Sequence, residues 1–192
     1  MAIKNRRLIV VNHLTLDGYF TDANCDSSWI YQNKNDAEWN RFVADNVSSV
    51  DVLLFGRVTY EMMAAYWSRE DAMAGDPAMA GRMNNMQKLV FSKTLNTALW
   101  NNTKLLKGGL QREVRKMKKE GGNDIAILGS GSIVAQLAQE GLIDEFRVVV
   151  NPVLLGNGRT IFEGIRKKLS LQLIGSSTFA NGNVLLCYAP AK

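Results

Sequence analysis

The sequence predicts an α/β fold, one domain over residues 1–192, with a mostly parallel central sheet and an antiparallel hairpin at its C-terminal end. Short apolar runs, typical of strands buried on both faces, alternate with segments of helical periodicity through most of the chain. In the last third, two strand-like runs flank Asn181-Gly182, residues that tolerate the positive φ of a tight turn. No repeat or Pro-rich linker divides the 192 residues, and 46% hydrophobic residues suffice for a sizeable core.

The first half of the chain predicts the order strand, loop, helix, strand, helix. Their expected positions are 7–14 for the first strand, 15–28 for the loop, a start at 36 for the first helix, 52–55 for the second strand and 59–66 for the second helix. The first helix is predicted because apolar residues recur on one helical stripe at Trp39, Phe42, Val43 and Val47. Residues 68–85 have a mixed composition that supports no firm assignment.

The second half predicts further alternation and then the hairpin. The expected strands are 88–91, a weak one at 103–106, 125–128 and 147–150, with helices at 112–119 and 132–140 between them and hairpin strands at 169–177 and 184–188. The helix at 112–119 is rich in Lys and Arg, but Leu110, Val114 and Met117 recur at helical spacing. This pattern is typical of an amphipathic helix with a solvated basic face.

The amino-acid composition excludes several kinds of site and partner. One histidine and two cysteines provide neither a multi-histidine nor a four-cysteine metal site, so no metal is expected. The isolated cysteines form no disulfide framework, and no apolar run is long enough to span a membrane, so a cytoplasmic location is expected. The net charge is +5. Because the densest basic segment is explained by the amphipathic helix, a nucleic-acid partner is not predicted, and the positive field suits a small anionic ligand.

The first candidate site is the junction of the second strand and second helix, residues 56–59 (GRVT). Gly56 allows close approach to the backbone, Thr59 is a suitable N-cap, and a helix N-terminus offers free N–H groups to phosphate. Arg57 adds a fork of donors. An ordinary turn with a surface arginine explains the same residues equally well.

Two more strand ends carry similar residues. Gly129, Ser130, Gly131 and Ser132 lie between a buried strand and a helix, although the third glycine of a dinucleotide fingerprint is missing. Two such turns in one parallel sheet meet in one crevice, which favours a dinucleotide site. Ser92 and Lys93 follow another strand and would place a cation near a ribose 2′-phosphate, with a plain loop as the alternative.

Candidates on the substrate side are less specific. Asp17-Gly18 after the first strand is either a functional loop or a simple turn, and His13 before it fits a packed, neutral histidine better than a catalytic one. Trp29, Asp36 and Trp39 either line a pocket for a flat substrate, with Asp36 or Glu38 as an acid, or supply core packing and a helix N-terminal carboxylate.

Five motifs, in this order along nearly the whole chain, resemble the dihydrofolate reductase-like family, in particular the branch of the riboflavin-biosynthesis reductase domain (RibD C-terminal domain-like). They are residues 14–19 (LTLDGY), 56–61 (GRVTYE), 90–95 (VFSKTL), 128–132 (LGSGS) and 151–156 (NPVLLG). The resemblance implies the three-layer fold of that family and an NADPH-dependent reductase. The zinc deaminase that riboflavin enzymes often carry has no signature here, because no paired cysteines follow His13.

The resemblance also implies roles for individual residues. Arg57 and Thr59 match the segment that holds the phosphates, Ser92 and Lys93 match the 2′-phosphate end, and 129–132 match the pyrophosphate turn. The first strand and the loop through Asp17 and Phe20 would lie beside the nicotinamide. Asp36 falls near the substrate carboxylate of the folate enzyme, although the surrounding segment departs from the folate pattern.

These observations predict hydride transfer from NADPH to a small heterocyclic or phosphorylated substrate, pyrimidine- or pterin-like, with Asp17 and Asp36 as catalytic candidates. The resemblance makes a homodimer plausible. The alternative is a nucleotide-binding regulatory or interaction protein that kept the fold without turnover.

Overall fold

The computed structural model describes residues 5–31 and 36–191. The strands are β1 Leu8–Thr15, β2 Val50–Gly56, β3 Gln87–Phe91, β4 Thr103–Leu106, β5 Asp124–Leu128, β6 Glu145–Asn151, β7 Leu171–Thr178 and β8 Val184–Pro190. The helices are α1 Ala37–Ser48, α2 Arg57–Trp67, α3 Glu70–Gly75, α4 Pro77–Asn85, α5 Leu110–Met117 and α6 Gly131–Gln139, and a 3₁₀ turn spans Ser28–Tyr31.

The eight strands form one sheet in the order β4-β3-β2-β5-β1-β6-β8-β7. Every pairing from β4 to β6 is parallel, and β8 then pairs antiparallel with both β6 and β7. The predicted fold class, a mostly parallel sheet with an antiparallel C-terminal hairpin, is confirmed. Strands β2, β5 and β1 occupy the middle of the sheet, so their carboxyl ends lie side by side.

The helices form a layer on each face of the sheet. Alternate residues of a strand point to opposite faces, so Leu54 packs toward α5 and α6 while Leu53 and Phe55 pack toward α2 and α4. A smaller aromatic cluster, formed by Trp39 and Phe179 with Val149 and Leu185, joins α1 to β6 and β8. Three layers result, as the resemblance to the dihydrofolate reductase-like family implies.

Residues 68–85, whose composition supports no assignment of secondary structure, contain the two short helices α3 and α4. Helix α4 begins with Pro77 at its first turn, and the Asp76 carboxylate accepts a hydrogen bond from the backbone N–H of Met79 at 3.0 Å. Met79 and Met83 are buried against the sheet. These two methionines hold α4 over the same face as α2.

Strand β7 ends the sheet with all eight residues exposed, including Leu173 and Ile174, which are 51% and 54% exposed. The homodimer stays a prediction.

Across the described part of the chain, no helix combines the length and the apolar character needed to cross a membrane.

Candidate functional site

A cavity of about 1550 Å³ opens at the carboxyl ends of β1, β2, β3 and β5 and extends between α1 and α2. Its walls include all nine residues that the sequence predicts for cofactor binding: Gly56, Arg57, Thr59, Ser92, Lys93, Gly129, Ser130, Gly131 and Ser132. The parallel sheet explains this convergence, because β2, β3 and β5 all end on the same side.

The two turns of the cavity floor, at 56–59 and 129–132, are hydrogen-bonded to each other. The backbone N–H of Gly56 donates to Ser130 Oγ at 2.9 Å, and the backbone N–H of Ser130 donates to Thr59 Oγ1 at 3.1 Å. Ser130 Oγ also donates to the carbonyl of Leu128 at 3.2 Å. Both serine and threonine are buried, so these bonds fix one turn against the other.

Backbone geometry makes the second turn a tight one. Gly129 and Ser130 both have left-handed backbone, with φ of 58° and 60°. A Cβ on Gly129 would lie 2.9 Å from the Thr59 side chain, and a Cβ on Gly131 would lie 2.9 Å from the carbonyl oxygen of Ile161. Glycine is therefore required at both positions, and Ser130 occupies a conformation that non-glycine residues seldom adopt.

Two of the helices that begin at the cavity lack a side-chain cap. Neither α2, with Gly56 at its N-cap, nor α6, with Ser130 there, has a side-chain cap, whereas α1 and α4 are capped by aspartates. The first turn of a helix leaves N–H groups without intrahelical partners. At α2 and α6 these groups belong to residues that line the cavity, so both N-termini can receive an anion.

The predicted role of Thr59 as a helix N-cap is wrong. Thr59 lies inside α2 rather than at its start, and its hydroxyl serves the other turn. Ser130 takes the N-cap position of α6, but its hydroxyl accepts from Gly56 instead of capping the helix. Both side chains form hydrogen bonds between the two turns, because the pairing of β2 with β5 brings together residues that are more than 70 positions apart in the sequence.

Cations cluster at the same end of the cavity. Lys93 is exposed after β3, and Lys107 after β4 holds the Leu95 carbonyl with its ammonium group. Arg57 forms an ion pair with Glu61 at 3.0 Å, and both side chains are 46% exposed, so the guanidinium group is still accessible from the cavity. Ser92 Oγ accepts from the backbone N–H groups of Thr94 and Leu95, which shapes the turn that carries Lys93.

Sequence reasoning missed Lys107, Gly108 and Gly109 as cavity residues. They connect β4 to α5, and Gly109, with φ of 72°, takes the N-cap position of α5 without a side-chain cap. The signal was present, because strand, glycine and helix follow one another here as they do at the other two turns.

The two predicted catalytic carboxylates are not among the described residues that line the cavity, and each accepts hydrogen bonds that hold the fold together. Asp17 accepts hydrogen bonds from Thr15 Oγ1 at 2.5 Å and from the N–H groups of Gly156 at 2.7 Å and Leu155 at 3.1 Å, and these bonds lower its pKa. They tie the loop after β1 to the loop after β6. The catalytic role of Asp17 stays a prediction.

Asp36 is the N-cap of α1. Its carboxylate accepts from the backbone N–H groups of Trp39 and Asn181, each at 3.0 Å, and the bond from Trp39 contributes most to lowering its pKa. The residue is only 7% exposed. It joins α1 to the hairpin turn between β7 and β8, and an acid role remains a prediction without geometric support.

His13 lines the cavity from β1, and burial lowers its pKa to about 4. Asn151 Nδ2 and Oδ1 lie 3.3 and 3.4 Å from His13 Nδ1, and because the amide N–H groups donate to the carbonyls of Leu14 and Val149, it is Oδ1 that is left to accept from the ring. Nδ1 then carries the proton, and Nε2 is an acceptor. The predicted neutral histidine matches this environment. Within the described ranges no group of three His, Cys, Asp or Glu side chains could hold a metal ion.

Sequence comparison gives the chain a family. The profile of the RibD C-terminal domain family matches residues 6–185. Two similar proteins come from Bacillus subtilis strain 168, and both are described as uncharacterized. YyaP is 27% identical, and the alignment covers 97% of this chain and 96% of YyaP. YwjB is 23% identical, with 91% of this chain and 92% of YwjB covered.

Solved structures share the fold. A putative riboflavin biosynthesis protein from Shewanella sp. PV-4 superposes with a TM-score of 0.77 at 22% identity, covering 97% of this chain and 99% of that one. A diaminohydroxyphosphoribosylaminopyrimidine deaminase/5-amino-6-(5-phosphoribosylamino)uracil reductase from Thermotoga maritima superposes with a TM-score of 0.69 at 15% identity, covering 98% of this chain and 57% of that one.

Proposed function

We propose that this chain, which belongs to the RibD C-terminal domain family, is an NADPH-dependent reductase that transfers a hydride to a small heterocyclic substrate of the pyrimidine type. One observation carries the proposal: two uncapped helix N-termini, at α2 and α6, face one cavity beside a cluster of cations. The family and its reductase relatives support an oxidoreductase in general terms, and the cofactor and substrate class are the proposal itself.

The residues of the cavity fit NADPH. The free N–H groups at the starts of α2 and α6 suit the pyrophosphate, because a helix N-terminus attracts anions. Lys93 and Lys107 supply the positive charge that a 2′-phosphate needs. Gly129 and Gly131 place no side chain at the floor, and the fold itself requires glycine there because a Cβ at either would lie 2.9 Å from a neighbouring atom.

When bound, NADPH supplies the hydride, so the protein needs no nucleophile or metal for that step. The chain's residues then bind and orient both partners and limit access of water. The polar groups of β1, Asn12 and His13, lie on the cavity wall where a substrate ring can be positioned. His13, neutral because burial lowers its pKa to about 4, offers Nε2 as an acceptor.

The test compares NADPH with NADH by thermal unfolding. A ligand that binds the folded state raises the melting temperature, so NADPH should raise it well above the effect of NADH. Lys93→Ala should weaken NADPH binding about tenfold and leave NADH unchanged, because only the 2′-phosphate distinguishes the two. Lys104→Ala is the matched control, since Lys104 is exposed on β4 and is not among the residues that line the cavity.

Equal shifts with both nucleotides, or none with either, would remove the cofactor assignment. If NADPH binds but is not oxidised at 340 nm with any of a panel of pterins, pyrimidines and quinones, the regulatory alternative gains support. Loss of NADH and NADPH binding alike in Lys93→Ala would contradict the role given to its ammonium group.

A further inference from the structure

Asn151, the last residue of β6, joins the ends of two neighbouring parallel strands. Its amide nitrogen Nδ2 donates to the carbonyl of Leu14 on β1 at 3.0 Å and to the carbonyl of Val149 on β6 at 3.1 Å. Turning the amide over would place Oδ1 against these two carbonyl oxygens, where it has no donor to accept from. The residue is only 4% exposed, so the two strands fix the orientation of its amide.

This orientation determines which nitrogen of His13 carries the proton. Both amide N–H groups of Asn151 are used by the strands, so Oδ1, 3.4 Å from His13 Nδ1, accepts from the ring. Nδ1 is then protonated and Nε2 is a bare acceptor. Burial lowers the His13 pKa to about 4, which keeps the ring neutral at pH 7.

A second contact holds the ring in place. The buried Trp39 packs edge-on against His13, with 5.7 Å between the ring centroids and 84° between the ring planes. A half-turn of the His13 ring would put a carbon in the place of Nδ1 and break the bond to Asn151. The imidazole therefore presents Nε2 in one direction.

Nε2 is open to the cavity. His13 is half-buried and lines the cavity, and in the described part of the chain Asn151 is the one hydrogen-bond partner of its ring. Nε2 is also not one of the unpartnered polar atoms that are closed off from solvent in those residues. An acceptor without a partner on a cavity wall is available to a donor group of a ligand.

We infer that Asn151 is a positioning residue which, by fixing His13 Nε2 as an acceptor, makes the cavity select a substrate ring that carries an N–H donor. This inference rests on the proposed function for the reaction and names one group that the substrate ring must carry. Lactam and imide rings, in which an N–H group lies next to a C=O group, provide this donor, whereas N-alkylated rings and quinones do not. A ligand without the donor leaves the acceptor unpaired, and this is how a hydrogen-bonding site rejects such an analogue.

The tautomer is measured first, by ¹⁵N NMR of the full chain labelled with [¹⁵N]histidine. His13 is the one histidine of the sequence, so the spectrum contains a single imidazole ring. At pH 7 we expect a proton on Nδ1 and none on Nε2, which is the reverse of the tautomer that histidine favours in water. A spectrum in which Nε2 carries the proton overturns the inference.

Ligand selection is then measured at the same atom, with uracil as the imide probe and 1,3-dimethyluracil as its N-methylated comparison. An N–H group that bonds to Nε2 moves the Nε2 signal upfield, so a titration gives the dissociation constant at this atom. We expect uracil to bind at least about tenfold more tightly than 1,3-dimethyluracil, because only uracil supplies the donor. Absence of uracil binding, or equal binding of the two compounds, contradicts the inference.

Asn151→Leu removes the acceptor for Nδ1. In this variant we expect the His13 proton to move to Nε2 and the preference for uracil to fall to within about twofold. Asn84→Leu is the matched control: Asn84 also uses both ends of its amide, with the Trp67 carbonyl at 3.0 Å and Trp100 Nε1 at 2.6 Å, but it lies on α4 and is not among the lining residues. An unchanged tautomer in Asn151→Leu, or the same change in both variants, would remove the role given to Asn151. The first two measurements need no substitution, so they decide the selection of an N–H group even if Asn151→Leu does not fold.

NADPH binding, measured separately by thermal unfolding, distinguishes this inference from the proposed function. If NADPH fails to bind while Nε2 still selects uracil, the reductase assignment fails and the selection of an N–H group stands. If NADPH binds and is oxidised while Nε2 carries the proton, the inference fails and the reductase assignment stands.

Discussion

Thr59→Val removes the hydroxyl that joins the two turns of the cavity floor and keeps the shape of the side chain. In the folded protein, Thr59 Oγ1 accepts from the buried backbone N–H of Ser130 at 3.1 Å. Valine offers no acceptor, so this N–H is left without a partner. Ser130 also holds a left-handed backbone, at φ of 60°, which depends on its surroundings for support.

The size of the effect follows from the burial of the bond. A buried donor that loses its partner costs about 1–3 kcal/mol. For a chain of about this length, each kcal/mol corresponds to roughly 2–4 °C in melting temperature, so a loss of about 2 kcal/mol predicts a decrease of about 4–8 °C. Because the start of α6 is held by the same contact, NADPH binding should also weaken.

Thermal unfolding followed by circular dichroism, with and without NADPH, measures both effects. Thr59→Ser is the matched control, since it keeps the hydroxyl and loses one methyl group, worth about 0.8 kcal/mol. We expect Thr59→Ser to bind NADPH like the unmodified protein. If Thr59→Val has an unchanged melting temperature and unchanged NADPH affinity, the hydrogen bond between the turns does not organise the site.

Three further predictions concern titratable groups. Asp36→Ala should lower the melting temperature by a few degrees more at pH 7 than at pH 3, because the Asp36 pKa is lowered in the folded state and its stabilising effect is lost as pH falls through that value. The C–H proton of His13, the one histidine of the chain, should titrate by NMR below about pH 5, since burial lowers its pKa to about 4; a midpoint near 6.5 would contradict its burial. Lys88 is fully buried, and burial lowers its pKa to about 8 from 10.5, so the folded state binds fewer protons between these values. The protein's free energy of unfolding should therefore rise with pH in this range, by up to about 1 kcal/mol per pH unit, and Lys88→Met should flatten this slope. Equal slopes in the two proteins would mean that the three carbonyl acceptors and the Trp100 ring offset the effect of burial on the pKa.

Local patterns predicted the strands of the sheet and many of the residues around the cavity. Buried apolar runs mark β2 and β5, and parallel strands end at the same edge of a sheet, so the sequence places Gly56 and Gly129 at one edge, and the pairing of β2 with β5 in the structure makes them neighbours. The same reasoning could not say which hydroxyl bonds to which N–H. The contact of Thr59 with Ser130 joins residues 71 positions apart and depends on the register of β2 against β5.

The segment 68–85 shows what local patterns leave out. Helix α4 has nine residues and is held by burial of Met79 and Met83 against the sheet, which is a tertiary contact. Short helices gain most of their stability from such packing, so composition alone does not define them. Likewise Asp17 looks like a turn residue in sequence, and its bonds to Leu155 and Gly156 arise only because β1 and β6 are neighbours.

Asp17, Asp36 and His13, the three titratable groups that the sequence suggests for the substrate side, are all engaged in structural contacts, and these contacts limit their use as proton donors. Asp17 and Asp36 accept hydrogen bonds from backbone N–H groups in the folded protein, and these bonds lower both pKa values, which makes the carboxylates poor acids at neutral pH. His13 is neutral and has Nε2 as an acceptor, so it can position a substrate N–H or O–H but has no proton to give from that atom. If none of these three groups supplies the proton, the rate of reduction should show no ionisation of Asp17, Asp36 or His13 between pH 6 and 8.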